Sequence, residues 1–334
     1  MKTFKTFAGI DISKTTIDIS FINADATSTT KHLKINNDIK TIAALVDKIT
    51  KQEDLQNTLF TCEHTGVYTM PFITVMHMKQ LNYWIVPAIE IKRSQGLHRG
   101  KNDKADSKMI ALYALTHQHR YIPSVLPETE IQQLKLLFTE REKILKAIAL
   151  FERTQENESY LNKDVFSVIK KLNRQQIDHL NKALLQVEKQ LLLIIKQHNE
   201  LNKQYELLTS VPGIGKQTAI YLIITTRSFK AFKTWRQMAC YAGVAPFEYS
   251  SGTSIKGRSK VNHVADKKMK SMLQMCVLSA IKHDAEIKHY YEKKKAEGKH
   301  VMLVMNNIRC KLLARAFAVI NRATPFVNTQ KFAA

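Results

Sequence analysis

The chain is short of cysteine, of long apolar runs and of acidic charge, and each shortage removes a class of function. Its four cysteines, Cys62, Cys240, Cys276 and Cys310, stand far apart, and none forms a CxxC pair. That spacing argues against a zinc knuckle and against the disulfide scaffold of a secreted domain. Apolar runs such as Leu191 to Ile195 fall far below the ~20 residues that a membrane-spanning helix needs. The opening Met1-Lys2-Thr3-Phe4-Lys5 passes quickly to Asp11 and lacks the apolar stretch of a signal peptide. What remains is the expectation of a reduced, cytoplasmic protein with no membrane partner.

What is abundant is positive charge. Lys and Arg total 51 against 29 Asp and Glu, a formal charge of +22 in 334 residues. A field of that sign attracts phosphate backbones. The hydrophobic share of 44% is that of a chain with a real core, and the length is enough for two or three domains. Composition alone leaves open a basic structural or ribosome-associated factor.

The first 120 residues read as α/β. Thr6 to Ile12 and Thr16 to Ile22 are strand-like, followed by an extended piece from Lys31 to Ile35. Ile42, Leu45, Val46 and Ile49 then recur at helical spacing. Thr58 to Cys62 and Tyr83 to Val86 are further strands, and Lys104 to His117 is a helix with Met109, Leu112 and Leu115 on its apolar side. Strands alternating with helices in this way predict a layered α/β domain. Pro123 and Pro127 mark a break, after which Glu128 to about Leu208 contains neither Gly nor Pro. There Ile177, Leu180, Leu184, Val187, Leu191, Ile194, His198, Leu201, Tyr205 and Leu208 recur in steps of three and four, with one polar member, His198. Such a stripe predicts either a coiled-coil arm that bridges subunits or domains, or a helical hairpin packed on its own domain. From Val211 to about Phe326 the pattern is helical again, and between Arg227 and Arg322 20 Lys and Arg stand against 6 Asp and Glu. The expected division is 1–122, 123–208 and 209–328, with 329–334 as a loose tail.

Chemistry concentrates in four carboxylates. Asp11 lies on the first strand, Glu63 ends a later one, and Asp103 and Asp106 open a helix three residues apart, on one face. In a ribonuclease-H-like sheet the first and fourth strands are neighbours and a late helix crosses beside them, which would bring the four together. A set with a charge of about −4 needs cations, and two Mg²⁺ roughly 4 Å apart can clamp the attacking and leaving oxygens of a phosphoryl transfer. Each acid alone is equally a turn residue or a helix cap; their order and element type give them weight together. A proofreading-type exonuclease would carry Asp-x-Glu on the first strand, whereas Asp11 is followed by Ile12 and Ser13. Lys92, Arg93, His98, Arg99, Lys101, Lys104 and Lys108 surround the Asp pair, as a solvated face or as a track for a nucleic-acid backbone.

Two further motifs lie beyond the break. Val211-Pro212-Gly213-Ile214-Gly215-Lys216 resembles a helix-hairpin-helix turn, in which glycines admit a phosphate to the N–H groups of the next helix. It is not a Walker A loop, which needs GxxxxGK[ST]. Gly243-Val244-Ala245-Pro246 leads to Ser250-Ser251-Gly252, taken alone a loop. A serine there is a weak nucleophile that needs a base or metal, and Lys256, Arg258 and Lys260 beside it could hold a scissile strand.

Taken in order, Gly9-Ile10-Asp11, Glu63-x-Thr65-Gly66-x-Tyr68, Lys101-x-Asp103-x-x-Asp106, Pro212-Gly213-Ile214-Gly215, Gly243-Val244-Ala245-Pro246 and Ser251-Gly252 resemble the insertion-sequence-one-ten family of DEDD transposases, relatives of the Piv-type DNA invertases, over essentially the full length. The resemblance implies a RuvC-like N-terminal domain, a coiled-coil arm and a mainly α-helical C-terminal transposase domain. It implies that Asp11, Glu63, Asp103 and Asp106 hold Mg²⁺ and that Ser251 is the nucleophile, joined covalently to a DNA strand. It implies DNA as substrate, a structured bridge RNA as guide, dimers pairing into tetramers with a composite site, and a nucleoid-associated place in a bacterial cytoplasm. One departure stands out: Ser259-Lys260 leads to Val261-Asn262-His263 without the glycine common in the family. Two other readings fit the same residues: a metal-dependent junction nuclease in which Ser251 is structural, and a non-catalytic dimerising nucleic-acid binder.

Overall fold

A computed structural model describes residues 3–25, 29–50, 55–94, 102–153, 160, 163–251 and 255–328; for 29, 30, 163–165, 249, 251, 255, 256 and 258–260 it describes the backbone alone. The chain divides into two compact units, Met1–Leu126 and Pro127–Ala334.

The first unit is built on a five-stranded sheet. β1 (Thr6–Ile12), β2 (Thr16–Asn23), β3 (Thr29–Asn36), β4 (Thr58–Glu63) and β5 (Asn82–Val86) lie in the order β3-β2-β1-β4-β5. β1, β2 and β3 are antiparallel neighbours, and β4 and β5 run parallel to β1. A short turn joins β1 to β2, whereas the parallel pairs need helical crossovers. The first and fourth strands are thus adjacent, as the ribonuclease-H-like reading expects.

Side chains alternate across each strand, and the two faces bury different sets. Ile10, Ile17, Ile19, Phe21, Phe60 and Cys62 face α1 (Ile39–Thr50) and α2 (Met70–Met78). Ile42, Val46 and Ile49 repeat at helical spacing and supply the buried stripe of α1. On the other face Phe7, Leu59, Trp84 and Val86 pack with Ile91 of α3 (Ala88–Ser94) and with Ile110, Tyr113 and Ala114 of α4 (Asp103–His117).

α4 turns a different side inward from the one its largest apolar residues predict. Met109, Leu112 and Leu115 are only half-buried, whereas Ser107, Ile110, Ala111, Tyr113 and Ala114 are buried. The cause is Gly9. A Cβ built there would lie 2.1 Å from both the Ser107 carbonyl oxygen and the Ala111 nitrogen. Backbone meets backbone, so only small residues fit on the helix at the crossing.

The second unit is helical around one core. α5 (Thr129–Arg153) packs along α6 (Lys163–Gln197), and α7 (Asn199–Thr209), α8 (Lys216–Thr226), α9 (Trp235–Tyr241), α10 (Lys267–His283), α11 (Ala285–Ala296) and α12 (Val301–Arg322) complete it. Leu134 and Phe138 of α5 and Leu191 and Ile195 of α6 join that core. The apolar stripe is not one helix: His198 is extended (φ −113°, ψ 110°) and separates α6 from α7. Beyond the break, Leu201, Leu207 and Leu208 of α7 lie in the core. A second difference is a β-hairpin, β6 (Pro246–Ser251) and β7 (Ile255–Val261), where the sequence pattern predicts a helical region with a loop at Ser250-Ser251-Gly252. Phe247, Tyr249, Ile255 and Val261 favour an extended pair over a helical face.

Candidate active site

The sheet register builds the acidic site. Asp11 pairs directly with Asp18 of β2, and Ile10 pairs with Cys62, which sets Glu63 one step beyond on β4. By parity Asp11, Asp18 and Glu63 share the face that α4 crosses. α4 brings Asp103 and Asp106 in its first turn, capped by Asn102, whose Oδ1 accepts the Lys104 N–H at 3.0 Å. A helix N-terminus favours that pair of acids. The seating of α4 is fixed by the Gly9 contact and by the buried Ser20–Ser107 hydroxyl pair at 2.8 Å.

The carboxylates feel one another. Burial pushes the Asp11 carboxyl up to about 6, with Asp106, Asp103, Glu63 and Asp18 adding to the rise. The other three acids read from the sequence therefore act on Asp11, and Asp18 is an additional one. Asp18 is buried and held on both oxygens, by His32 Nε2 at 3.0 Å and Lys34 Nζ at 3.1 Å. Lys34 also reaches Asp103 at 3.5 Å. Among the described residues no three His, Cys, Asp or Glu side chains are drawn to ligand distance. The donor set nevertheless fits a hard divalent cation: all oxygen, and electrostatically unfavourable when fully ionised without one.

Around Glu63 the turn is tied locally. The Gly66 N–H donates to His64 Nδ1 at 3.0 Å, and the Thr65 and Thr69 hydroxyls pair at 2.9 Å. Arg93 and Lys104 are exposed, consistent with a solvated face and with a phosphate track alike. His98, Arg99 and Lys101 lie outside the described residues.

In the second unit Gly213 (φ +95°) owes its identity to packing: an added Cβ would lie 2.7 Å from both Ala280 Cβ and the Cys276 carbonyl oxygen. Gly215, by contrast, is exposed at the start of α8 with open space around it, and Lys216 is exposed beside it. The hairpin that carries Ser251 is anchored at both roots. Gly243 (φ +64°) would put a Cβ 2.3 Å from Ala265 Cβ, and the Asn306 side chain donates to the Val244 carbonyl at 2.6 Å. On the return side the Asp266 N–H donates to the Tyr241 carbonyl at 2.9 Å, and Tyr221 donates to Asp266 at 2.9 Å. Ser251 ends β6 opposite Ile255. Its side chain and those of Lys256, Arg258 and Lys260 lie outside the described residues.

Two family models match the chain: one described as a DEDD "Transposase" covers residues 8–158, and one described as "Transposase IS116/IS110/IS902 family" covers 205–292. The chain belongs to this transposase family. The first match spans all four carboxylates and the second spans the glycine turn and Ser251. Over 331 residues the transposase is 28% identical to the pilin gene-inverting protein of Moraxella bovis, covering 96% of this chain and 98% of that one. The Moraxella lacunata counterpart is 27% identical over the same shares. A protein of insertion element IS110 from Streptomyces coelicolor is 28% identical over 44% of this chain and 37% of its own length. Among solved structures, Thermus thermophilus RuvC in complex with a Holliday junction substrate is similar over 34% of this chain and 95% of RuvC, at 10% identity and a TM-score of 0.28. The fold assignment stands on the strand order given above.

Proposed function

We propose that this transposase cleaves and rejoins DNA strands by attack of Ser251, with divalent metal, two Mg²⁺, held by Asp11, Glu63, Asp103 and Asp106. The observation that carries the reading is the placement of these acids: Asp11 and Glu63 lie on the sheet face that α4 crosses, and Asp103 and Asp106 lie in the first turn of α4. Bound metal would supply Lewis acidity and charge neutralisation at the scissile phosphate. The Ser251 oxygen forms a bond to phosphorus as the DNA P–O bond breaks; the serine proton leaves to solvent and the departing oxygen is protonated. Reversal by another strand's hydroxyl restores a phosphodiester and frees the serine, so no nucleotide cofactor is consumed.

The finer features belong to the same reading. Arg93, Arg99, Lys101 and Lys104 track the backbone near the acids. Gly213, Gly215 and Lys216 form a helix-hairpin-helix contact, with Gly215 and Lys216 as its exposed part, and Lys256, Arg258 and Lys260 hold the strand at the serine. A structured RNA guides the choice of site. The helical segment within 123–208, between a RuvC-like 1–122 and a transposase domain at 209–328, acts as a coiled-coil arm joining dimers into tetramers.

The test is incubation with element-end DNA and Mg²⁺, followed by a search for a protein–DNA adduct that resists denaturant. Adduct is expected with the natural chain and absent in Ser251→Ala. An adduct unchanged in that variant removes the nucleophile assignment, and cleavage without any adduct points to a metal-only nuclease.

A further inference from the structure

Lys34 is a basic residue that the strand pattern gives no reason to favour, set among acids. Its ammonium touches Asp18 at 3.1 Å and Asp103 at 3.5 Å. It therefore bridges β2 and the first turn of α4, the two elements on either side of Asp11. Both oxygens of Asp18 are already engaged, one by His32 and one by Lys34. That engagement explains why a buried acid paired directly with Asp11 need not serve as a fifth ligand. Asp103 is different again. It is about half exposed and its one described ion-pair partner is the reach of Lys34. An ion pair of that kind is weak and readily exchanged.

We propose that Lys34 is a tethered counter-ion that holds Asp103 in the metal-free protein and is displaced from it when a divalent cation binds. The proposal rests on the reading that the acids hold metal. Before metal arrives, five carboxylates on one face repel one another, and a lysine on the neighbouring strand relieves part of that repulsion. A divalent ion of higher charge and better oxygen affinity takes Asp103, while Asp18 retains His32 and its share of Lys34. The site thus exchanges one cation for another and does not pass through a bare acidic cluster.

Amine acetylation of the full chain, read peptide by peptide by mass spectrometry, tests this in chelator and in Mn²⁺ alone. Lys34 labelling should rise about two- to fivefold as Mn²⁺ binds, the range over which an exposed ion pair protects. Lys79, paired with Asp47 elsewhere on the unit, should not change. In calorimetry, Lys34→Met should bind Mn²⁺ about two- to fivefold more tightly than the natural chain, and Lys34→Arg should stay close to it. Lys34 labelling that is unchanged or falls with Mn²⁺ bound overturns the proposal, as does unaltered Mn²⁺ affinity in Lys34→Met. The labelling arm uses the unsubstituted chain and so does not depend on how the variants fold. Asp11→Asn separates the two levels. Mn²⁺ binding that survives it intact removes the metal reading itself, whereas binding lost there with Lys34 unmoved removes only the part played by Lys34.

Discussion

The two units carry their candidate chemistry in opposite ways. In the first, Asp11 and Asp18 sit on central strands of the sheet, half-buried and buried, under a helix seated on Gly9. In the second, Ser251 ends a strand of a two-stranded hairpin whose roots are fixed to the helical core. A site inside the packing shares its energetics with the fold, so mutual repulsion of its acids is a cost that the fold must offset. A residue on a hairpin is free of that coupling. The difference predicts that substitutions in the first site move stability and activity together, while substitutions at Ser251 move activity alone.

The harshest way to break the comparison is at the glycine contacts. Gly9→Ala forces a Cβ into the backbone of α4, which no rotamer change relieves, and should cost about 3–5 kcal/mol in chemical denaturation. Gly213→Ala should cost a comparable amount, because it combines a positive φ with the contact on α10. If Gly9→Ala unfolds no more easily than the natural chain, the close seating of α4 is wrong.

Asp11→Asn tests the coupling itself. Asp11 has its folded value raised from 3.8 to about 6, so the folded state binds the proton more tightly. In chelator its ionisation opposes folding: stability from this group is full below about pH 4 and declines as pH rises through 6. Asn removes that term, and at pH 8 the metal-free variant should be more stable by about 1–2 kcal/mol after allowance for screening. Thermal unfolding from pH 4 to 8 should show the two curves diverging across this window, with cleavage lost in the variant. Parallel curves would place Asp11 outside the acidic cluster.

Smaller effects sharpen the contrast. Ser251→Ala should lie within about 0.5 kcal/mol of the natural chain in stability while losing all adduct. Gly215→Ala, which meets open space, should cost less than about 1 kcal/mol, the worth of a helix N-cap. A nucleic-acid affinity that falls in Gly215→Ala with no change in melting would support the phosphate contact of that turn.

Much of the first unit was legible because strands obey a period of two and short connections fix their order. Asp11 and Glu63 could be picked out on strands, and Asp103 and Asp106 at a helix start. Asp18 could not, since its meaning lies in a cross-strand pair: counting back from the turn after Ile12 places it opposite Asp11, and Ser20 opposite Gly9. The buried face of α4 misled for a related reason. Large apolar residues normally point inward, but here the closeness of two backbones selected Ser107 and Ala111. In the second unit the helix break left one trace in the sequence, the lone polar member His198 of the apolar stripe. The hairpin left a weaker one, an alternation too short to outweigh the helices on either side.

The Gly9 contact has a bearing on which ions the site would accept. Because α4 is held against β1 by backbone on backbone, the first-turn acids cannot drift away from Asp11 without lifting the helix. Calcium takes six to eight oxygens at longer bonds, whereas magnesium and manganese accept a tighter six. Under the proposed metal reading, a spacing held by the missing side chain of Gly9 would favour the smaller ions over the larger.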